Sequence, residues 1–462
     1  MPVRERRLVV VPVISLTLLL LLSALPVLGE VDDQASSEKA FKASFDEFVN
    51  QTFVSAEASG SGGSSSDTQT DAVVAIGAGS KLAVHGFLTQ GYADGSFVHN
   101  SDGLGNSPSL HELSIGIPED GTTDYRQLAL QFRYQMSPKD IFIIQLSSRS
   151  LGFSPIEAIE DEVQLDWAFY ERRLTDNTSV MVGRVQIPLG IYNEIRDVGT
   201  ILPFYRPPYG LYRTGAFTSE TVDGIAMSHH FLADRDWNFE VSPYYGEFDD
   251  IEIVPEGQLP PGSPTENISR DKNVYGVQTW LNTGISDLRF GMHYYKRTLV
   301  DSIFLPPGDE SDFKNYMFSL DGNFSRLTVR SEYMKTTSKA TFPLGPGLPF
   351  LDLDFDFFLW YVQVGVRLTD QFQIWGQLDR IDQKTDANLY TSTDELDARE
   401  DLGISLVYAF SPSIVLKAEY HEVEEESSLL NPVFTPNGLF FDPVPYTSDG
   451  GDYSILSLSV SF

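Results

Sequence analysis

Residues 125–136 read YRQLALQFRYQM, with Leu128, Leu130, Phe132 and Tyr134 on one parity and Gln127, Gln131, Arg133 and Gln135 on the other. A period of two puts these sets on opposite faces of a β-strand, so the segment is apolar on one side and wet on the other. After Pro138 the pattern resumes in KDIFIIQLSSRS, where Phe142, Ile144 and Leu146 stand opposite Gln145, Ser147 and Arg149. Two such strands joined by a tight turn form an antiparallel hairpin. The same unit recurs along the chain, as in TVDGIAMSHHF with DWNFEVSPYYGEF, DFKNYMFSLDGNF with SRLTVRSEYMK, and DLGISLVYAF with PSIVLKAEYHEVE. Counting from Lys81 to Phe462 gives about sixteen strands, each near the roughly 9–11 residues that cross a bilayer at a tilt.

The N-terminus explains why a membrane is relevant. MPVRERRLVVVPVISLTLLLLLSALPVLGE has a basic start, an apolar run and small residues at its end, the order of a secretory signal peptide cleaved after Gly29. Three arginines and one glutamate leave with it, so the formal charge of −33 becomes −35. Beyond the signal no stretch approaches the roughly 20 apolar residues of a membrane helix, so this exported chain enters a membrane only as strands. Residues 30–57 form a short periplasmic segment in which Phe41, Phe45 and Phe48 fall at helical spacing, and residues 58–80 are a Gly/Ser-rich linker. The barrel domain is 81–462.

The connections carry as much information as the strands. Tight turns alternate with long polar segments at 94–124, 150–161, 187–220, 247–272, 297–311, 337–355, 381–398 and 425–451. Short turns on one rim and long loops on the other, with an even strand number, describe an all-β transmembrane antiparallel up-and-down barrel with short periplasmic turns and long extracellular loops. A soluble β-sandwich hides its apolar faces in one core. Here the opposite faces carry Arg, Gln, Glu and Asp in nearly every strand, which favours the barrel.

About sixteen strands leave an aqueous lumen. Strand parity assigns Arg133, Arg149, Arg172, Arg184, Arg289, Arg297, Arg330, Arg367 and Lys417 to its wall, with a smaller acidic set of Asp166, Glu240, Asp321, Glu332, Asp379 and Glu419. A wall leaning basic favours anions, or else the opposite charges pair across strands and stiffen the wall.

The C-terminus SILSLSVSF places Leu456, Leu458, Val460 and Phe462 on one face. It resembles the closing strand of bacterial outer-membrane proteins, and the whole of 81–462 resembles the bacterial porins. GRVQIPLGIYNEIRDV with LPFYRPPYGLY is also similar to a run found in proteobacterial porin-like proteins. The resemblance implies a Gram-negative outer membrane with its lipids and lipopolysaccharide as surroundings. It also implies that the barrel-assembly machinery reads the terminal aromatic residue, that the protein is a homotrimer, and that small hydrophilic solutes are the cargo. In porins the third long loop folds back into the barrel. Here it begins at Pro188, which removes a ladder donor, and Gly190, which permits a sharp bend. Its polar residues Asn193, Glu194, Arg196 and Asp197, with Arg206, Tyr209, Tyr212 and Arg213 beyond Pro207–Pro208, are the candidate constriction. They either meet the solute or anchor the loop, unless the loop stays outside as a lid.

Other chemistry is poorly supported. Strong acidity argues against nucleic acid, and the absence of Cys removes thiolate sites and cysteine nucleophiles. No H-x-x-x-H, HExxH or G-x-S-x-G pattern occurs, so neither a metal, another cofactor nor an enzyme is expected. LDLDFD at 351–356 fails the EF-hand pattern, with Phe357 where Gly belongs, and is expected in a solvated loop. Two readings compete with passive diffusion: a substrate-specific anion channel for phosphate or a carboxylate, and a structural or adhesive barrel.

Overall fold

The computed structural model describes residues 81–98, 116–118, 120–152, 163–212, 220–253, 266–285, 287–302, 305, 308–343, 350–387, 394–427, 430–435, 438–443 and 447–462. The signal peptide, the periplasmic segment at 30–57, the linker at 58–80 and Arg213 lie outside the described residues. The first strands are β1 (Leu82–Val98), β2 (Thr122–Ser137), β3 (Asp140–Leu151), β4 (Gln164–Thr175), β5 (Thr178–Gln186) and β6 (Thr221–Phe231). They are followed by β7 (Asn238–Ile253), β8 (Glu266–Asn282), β9 (Arg289–Val300), β10 (Ser311–Phe324), β11 (Leu327–Pro343) and β12 (Phe350–Arg367). The last are β13 (Phe372–Ala387), β14 (Asp394–Ser411), β15 (Ile414–Ser427), β16 (Leu430–Thr435), β17 (Gly438–Pro443) and β18 (Thr447–Ser461). Sixteen of them close into one barrel, each pairing with its sequence neighbours, while β16 and β17 form a separate hairpin within the last long connection.

Closure runs between β1 and β18, where Gly86 and Phe462 exchange backbone hydrogen bonds of 2.7 and 2.9 Å. Leu456, Leu458, Val460 and Phe462 share the outward face as expected, and the Phe462 ring covers Gly86 so closely that a Cβ there would strike it. Leu128, Phe142, Ile225, Phe318, Val362 and Leu406 are likewise exposed on the outside. A waist of exposed apolar side chains around a closed barrel suits a hydrocarbon surrounding.

Several strands are longer than expected. β12 and β14 reach 18 residues, whereas β5 has 9. The ladders continue toward the long-loop rim, where the outward parity turns charged and pairs across strands: Lys339 with Asp354 at 2.8 Å, Lys335 with Asp356 at 2.8 Å, and Arg270 with Asp249 at 3.0 Å. LDLDFD therefore lies on β12 rather than in a loop, and its three aspartates face outward. Alternation of hydropathy stops there although alternation of direction does not, so strand ends are invisible to a hydropathy count.

Candidate functional site: the third long loop inside the barrel

The segment after β5 turns into the lumen. Ile187 still donates to the Glu220 carbonyl at 2.9 Å, which keeps the root of the loop paired. Pro188 then ends the ladder, and Gly190 adopts φ +59, the left-handed region where a side chain is strained. A Cβ on Gly190 would run into Met317, the Tyr212 hydroxyl and the Glu332 carboxylate. A short 3-10 turn, Asn193–Ile195, follows, and the loop closes with a single helical turn, α1 (Tyr209–Tyr212). Asn193 closes the root, its Nδ2 donating to the carbonyls of Ile187 at 2.7 Å and Glu220 at 3.0 Å.

Anchors reach the loop from around the barrel. Asp197 accepts hydrogen bonds from Gln127 of β2 at 2.6 Å and from Gln145 and Arg149 of β3 at 2.8 and 2.9 Å. Arg149 also forks onto Glu220 at 2.9 and 3.0 Å, and Arg196 meets Glu220 at 3.0 Å while donating to the Tyr212 carbonyl. Opposite, Glu332 of β11 accepts from the Ile191 amide at 3.0 Å, from Ser319 at 2.5 Å, from Tyr361 at 2.8 Å and from the Tyr212 hydroxyl. Gln278 of β8 accepts from the Gly190 amide at 3.2 Å, and Arg330 donates to the Tyr192 hydroxyl at 3.0 Å. Further along, Ser405 of β14 and Lys417 of β15 donate to the carbonyls of Pro203 and Phe204 at 2.8 and 2.7 Å, and Asp379 of β13 accepts from the Gly210 amide at 2.7 Å. Irregular backbone deep in a barrel needs such partners, because its own donors and acceptors have no ladder.

The loop also carries an apolar load. Ile187, Leu189, Ile191, Tyr192, Leu202 and Tyr212 pack with the inward Ile141, Ile143, Trp167 and Phe169 of β3 and β4 into one buried cluster. The lumen is therefore not water-lined throughout. Tyr192, Tyr361 and Lys417 are each under 2% exposed, so at this depth loop and wall are packed against each other.

Most of the expected wall residues face inward and most are neutralised. Arg289 and Arg330 both engage Asp321, at 2.9 and 3.3 Å, Arg297 pairs with Asp271, and Lys417 holds the loop. Arg133 lies on the lumen parity near Glu171 and Arg173, and Arg367 shares the inward parity of Tyr361 and Gln363. Two assignments are corrected. Arg172 and Arg184 point outward: Arg172 pairs with Asp140 at 3.1 Å and Arg184 with Asp223 at 2.9 Å, both on the exterior. A β-bulge opposite Gln145 and Leu146 puts both Asp166 and Trp167 on the inner side and shifts parity for the rest of β4. β5 misled differently. Its inner residues Met181 and Val185 are as apolar as its outer Val180 and Val182, so polarity does not distinguish its faces. Arg173 and Arg399 take inward places that hydropathy did not single out; Arg399 pairs with Asp401 at 3.0 Å.

Of the loop's charged residues, Arg196 and Asp197 are anchors, and Arg206 donates to the Tyr125 hydroxyl at 2.7 Å while stacking over Tyr209 at 5.2 Å. Tyr209 also lies under Arg399, 4.4 Å away. Glu194 differs. It is half-buried and its carboxylate takes part in none of these anchoring bonds, with Glu240 and Arg289 as its electrostatic neighbours. Burial first, then the like charge of Glu240, pushes the Glu194 carboxyl up to about 7 against the opposing pull of Arg289.

No protein-family model matches the chain, and no curated protein matches it. Among solved structures the barrel is similar to the outer-membrane-expressed OmpT of Vibrio cholerae, 10% identical with a TM-score of 0.47, covering 84% of this chain and 100% of that one. It is similar to the outer-membrane channel DcaP of Acinetobacter baumannii, 11% identical with a TM-score of 0.46, covering 82% and 97%. It is also similar to an anion-selective porin from Comamonas acidovorans, 10% identical with a TM-score of 0.46, covering 82% and 99%.

Proposed function

We propose that this chain is an outer-membrane channel of the porin kind, in which the segment 187–212 sets the gauge of passage for small hydrophilic solutes or ions. The observation that carries the proposal is the inward loop itself, a long irregular segment held across the lumen by side chains from eight strands. A barrel that served only as an adhesin or scaffold has no need of such a device. The apolar waist and the charged outer band above it support placement in the outer membrane, with lipopolysaccharide as the neighbour of that band. The same reading includes a homotrimer of such barrels.

A second reading is favoured by the packing at loop depth. Where Tyr192 and Tyr361 are shielded from solvent, passage goes through a solute-binding step or a shift of the loop rather than through an open hole. Ion preference belongs to the same proposal. With the wall arginines paired, the exposed part of Glu194 makes the route prefer cations when it is ionised. Planar-bilayer recording of purified, folded protein tests the proposal: single-channel steps are expected, and their absence would overturn it.

A further inference from the structure

On the outside of the barrel, β9, β10 and β11 bring Lys296, Lys314 and Lys335 together at the lower edge of the charged band. Lys296 and Lys314 are direct cross-strand partners, and Lys335 stands one rung nearer the apolar waist, opposite Tyr316. Side chains so opposed lie about 4.5–5.5 Å apart at Cβ, where like charges repel. The patch holds more bases than acids. Asp312 meets Lys296 at 2.8 Å and also accepts from Thr298, and Asp356 meets Lys335 at 2.8 Å. Lys314 is exposed and has Asp312 as an electrostatic neighbour, but it makes no ion pair or hydrogen bond among the described residues. Directly below, the outward side chains change to tyrosine. Tyr294 and Tyr316 are cross-strand partners with ring centroids 5.3 Å apart, and Tyr275 adjoins Tyr294 at 6.3 Å. Beneath them stand the paired Met292 and Phe318, both exposed. A row of tyrosines over exposed apolar side chains marks the edge of the hydrocarbon layer. The lysines, one rung further out, therefore lie at the depth of lipid headgroups.

We infer that the outward face of β9–β11 is a binding site for a phosphorylated glycolipid of the outer leaflet, its phosphate held between Lys296 and Lys314 with Lys335 beside them. An anion between the two ammoniums removes the repulsion that their register imposes. Each ammonium is a compact point charge with three donors, which suits a phosphate without demanding one orientation. The tyrosine row below then meets the glycolipid where its acyl chains begin. The Lys335 ammonium is steadied over the Phe358 ring at 5.0 Å. The band is different on β14, β15 and β18, where the outward Glu400 opposes Glu424 and Glu422 opposes Asp452. A phosphate is repelled there, so direct binding belongs to one sector of the barrel rather than to its whole circumference. The location at the outer leaflet rests on the outer-membrane placement proposed above, whereas conduction plays no part in it.

Binding is measured by native mass spectrometry on folded, heat-modifiable full-length protein, delipidated in detergent with EDTA present to remove divalent bridges. Lipid A carrying two phosphates is the probe. The same lipid stripped of both phosphates, and phosphatidylglycerol, are the comparisons. Saturable binding of lipid A is expected, tenfold or more tighter than either comparison. The double variant Lys296→Gln with Lys314→Gln should bind it at least tenfold more weakly, with recovery in Lys296→Arg with Lys314→Arg. Lys339→Gln, further out on the same face of β11, should bind like the wild type. If the double variant does not reach the folded form, Lys314→Gln alone takes its place, since it breaks no ion pair, and a threefold or greater weakening is expected. No binding of lipid A to the wild-type protein, equal binding of the dephosphorylated lipid or of phosphatidylglycerol, unchanged affinity in the folded variants, or an equal loss in Lys339→Gln would overturn the inference. Single-channel steps without lipid A binding would sink this site and leave the channel reading intact; lipid A binding without steps would do the reverse.

Discussion

Replacing Asp197 by Asn should loosen the inward loop while leaving the barrel standing. The Asp197 carboxylate is 5% exposed and accepts three side-chain hydrogen bonds, from Gln127, Gln145 and Arg149, so it is the main tie between the loop and β2 and β3. An amide in its place turns one acceptor into a donor facing the Gln145 or Gln127 amide, and removes the charge opposite Arg149. Breaking a buried ion pair costs about 3–5 kcal/mol when the remaining charge is stranded. Arg149 keeps its fork on Glu220, so the lower end applies, about 3 kcal/mol. At 1.4 kcal/mol per decade this raises the population of the undocked loop by roughly a hundredfold. The barrel ladder is untouched, so the effect belongs to local opening rather than to global unfolding. Hydrogen exchange in peptides covering 187–212 should accelerate by that order, while peptides from β10 to β13 should not change. Single-channel traces should show more frequent open-level fluctuation. Exchange unchanged within threefold would refute the argument that Asp197 anchors the loop.

Gly190→Ala places a side chain in the left-handed region and against Met317, Tyr212 and Glu332, so the same loop peptides should exchange faster, by a factor matching about 1–2 kcal/mol of strain. Glu194→Gln should leave stability and loop exchange unaltered because Glu194 is not an anchor, yet it should move the reversal potential in a salt gradient toward anions. In the wild-type protein the carboxyl is neutral below and ionised above about pH 7, so cation preference should grow as pH rises through that value and be flat in the variant. A Cβ on Gly199 would strike the Thr89 hydroxyl and crowd the Ser459 side chain, so Gly199→Ala should likewise speed hydrogen exchange in the loop peptides, and unchanged exchange would contradict the close seating of the loop against β1 and β18.

The architecture was legible wherever hydropathy and direction alternate together. On β2 the outward Leu128, Leu130, Phe132 and Tyr134 and the inward Gln127, Gln131 and Arg133 fall where the period of two puts them. On β4 and β5 the two alternations part company. Ile141, Trp167 and Phe169 are apolar because they meet the loop, not lipid, and the bulge at Leu165 to Trp167 shifts the parity of β4, which turns Arg172 outward, whereas on β5 the equally apolar inner Met181 and Val185 and outer Val180 and Val182 hide the outward place of Arg184. Both strands do show a signal in hindsight: they are apolar on both faces, which in a barrel means that something apolar lies inside. Pro188 and Gly190 marked where the strand breaks, but not which charges serve as anchors. That depends on partners distant in sequence, such as Glu332 with Ile191 and Lys417 with Phe204, which no local pattern encodes.

The claim that the inward segment governs passage is tested most directly by single-channel conductance of the intact protein against a variant in which residues 191–209 are replaced by a short Gly/Ser link, both refolded and heat-modifiable. Conductance should rise several-fold once the packed layer around Tyr192 and Phe204 is gone, and cation preference should weaken with the loss of Glu194. Equal conductance and equal selectivity in the two proteins would contradict the account.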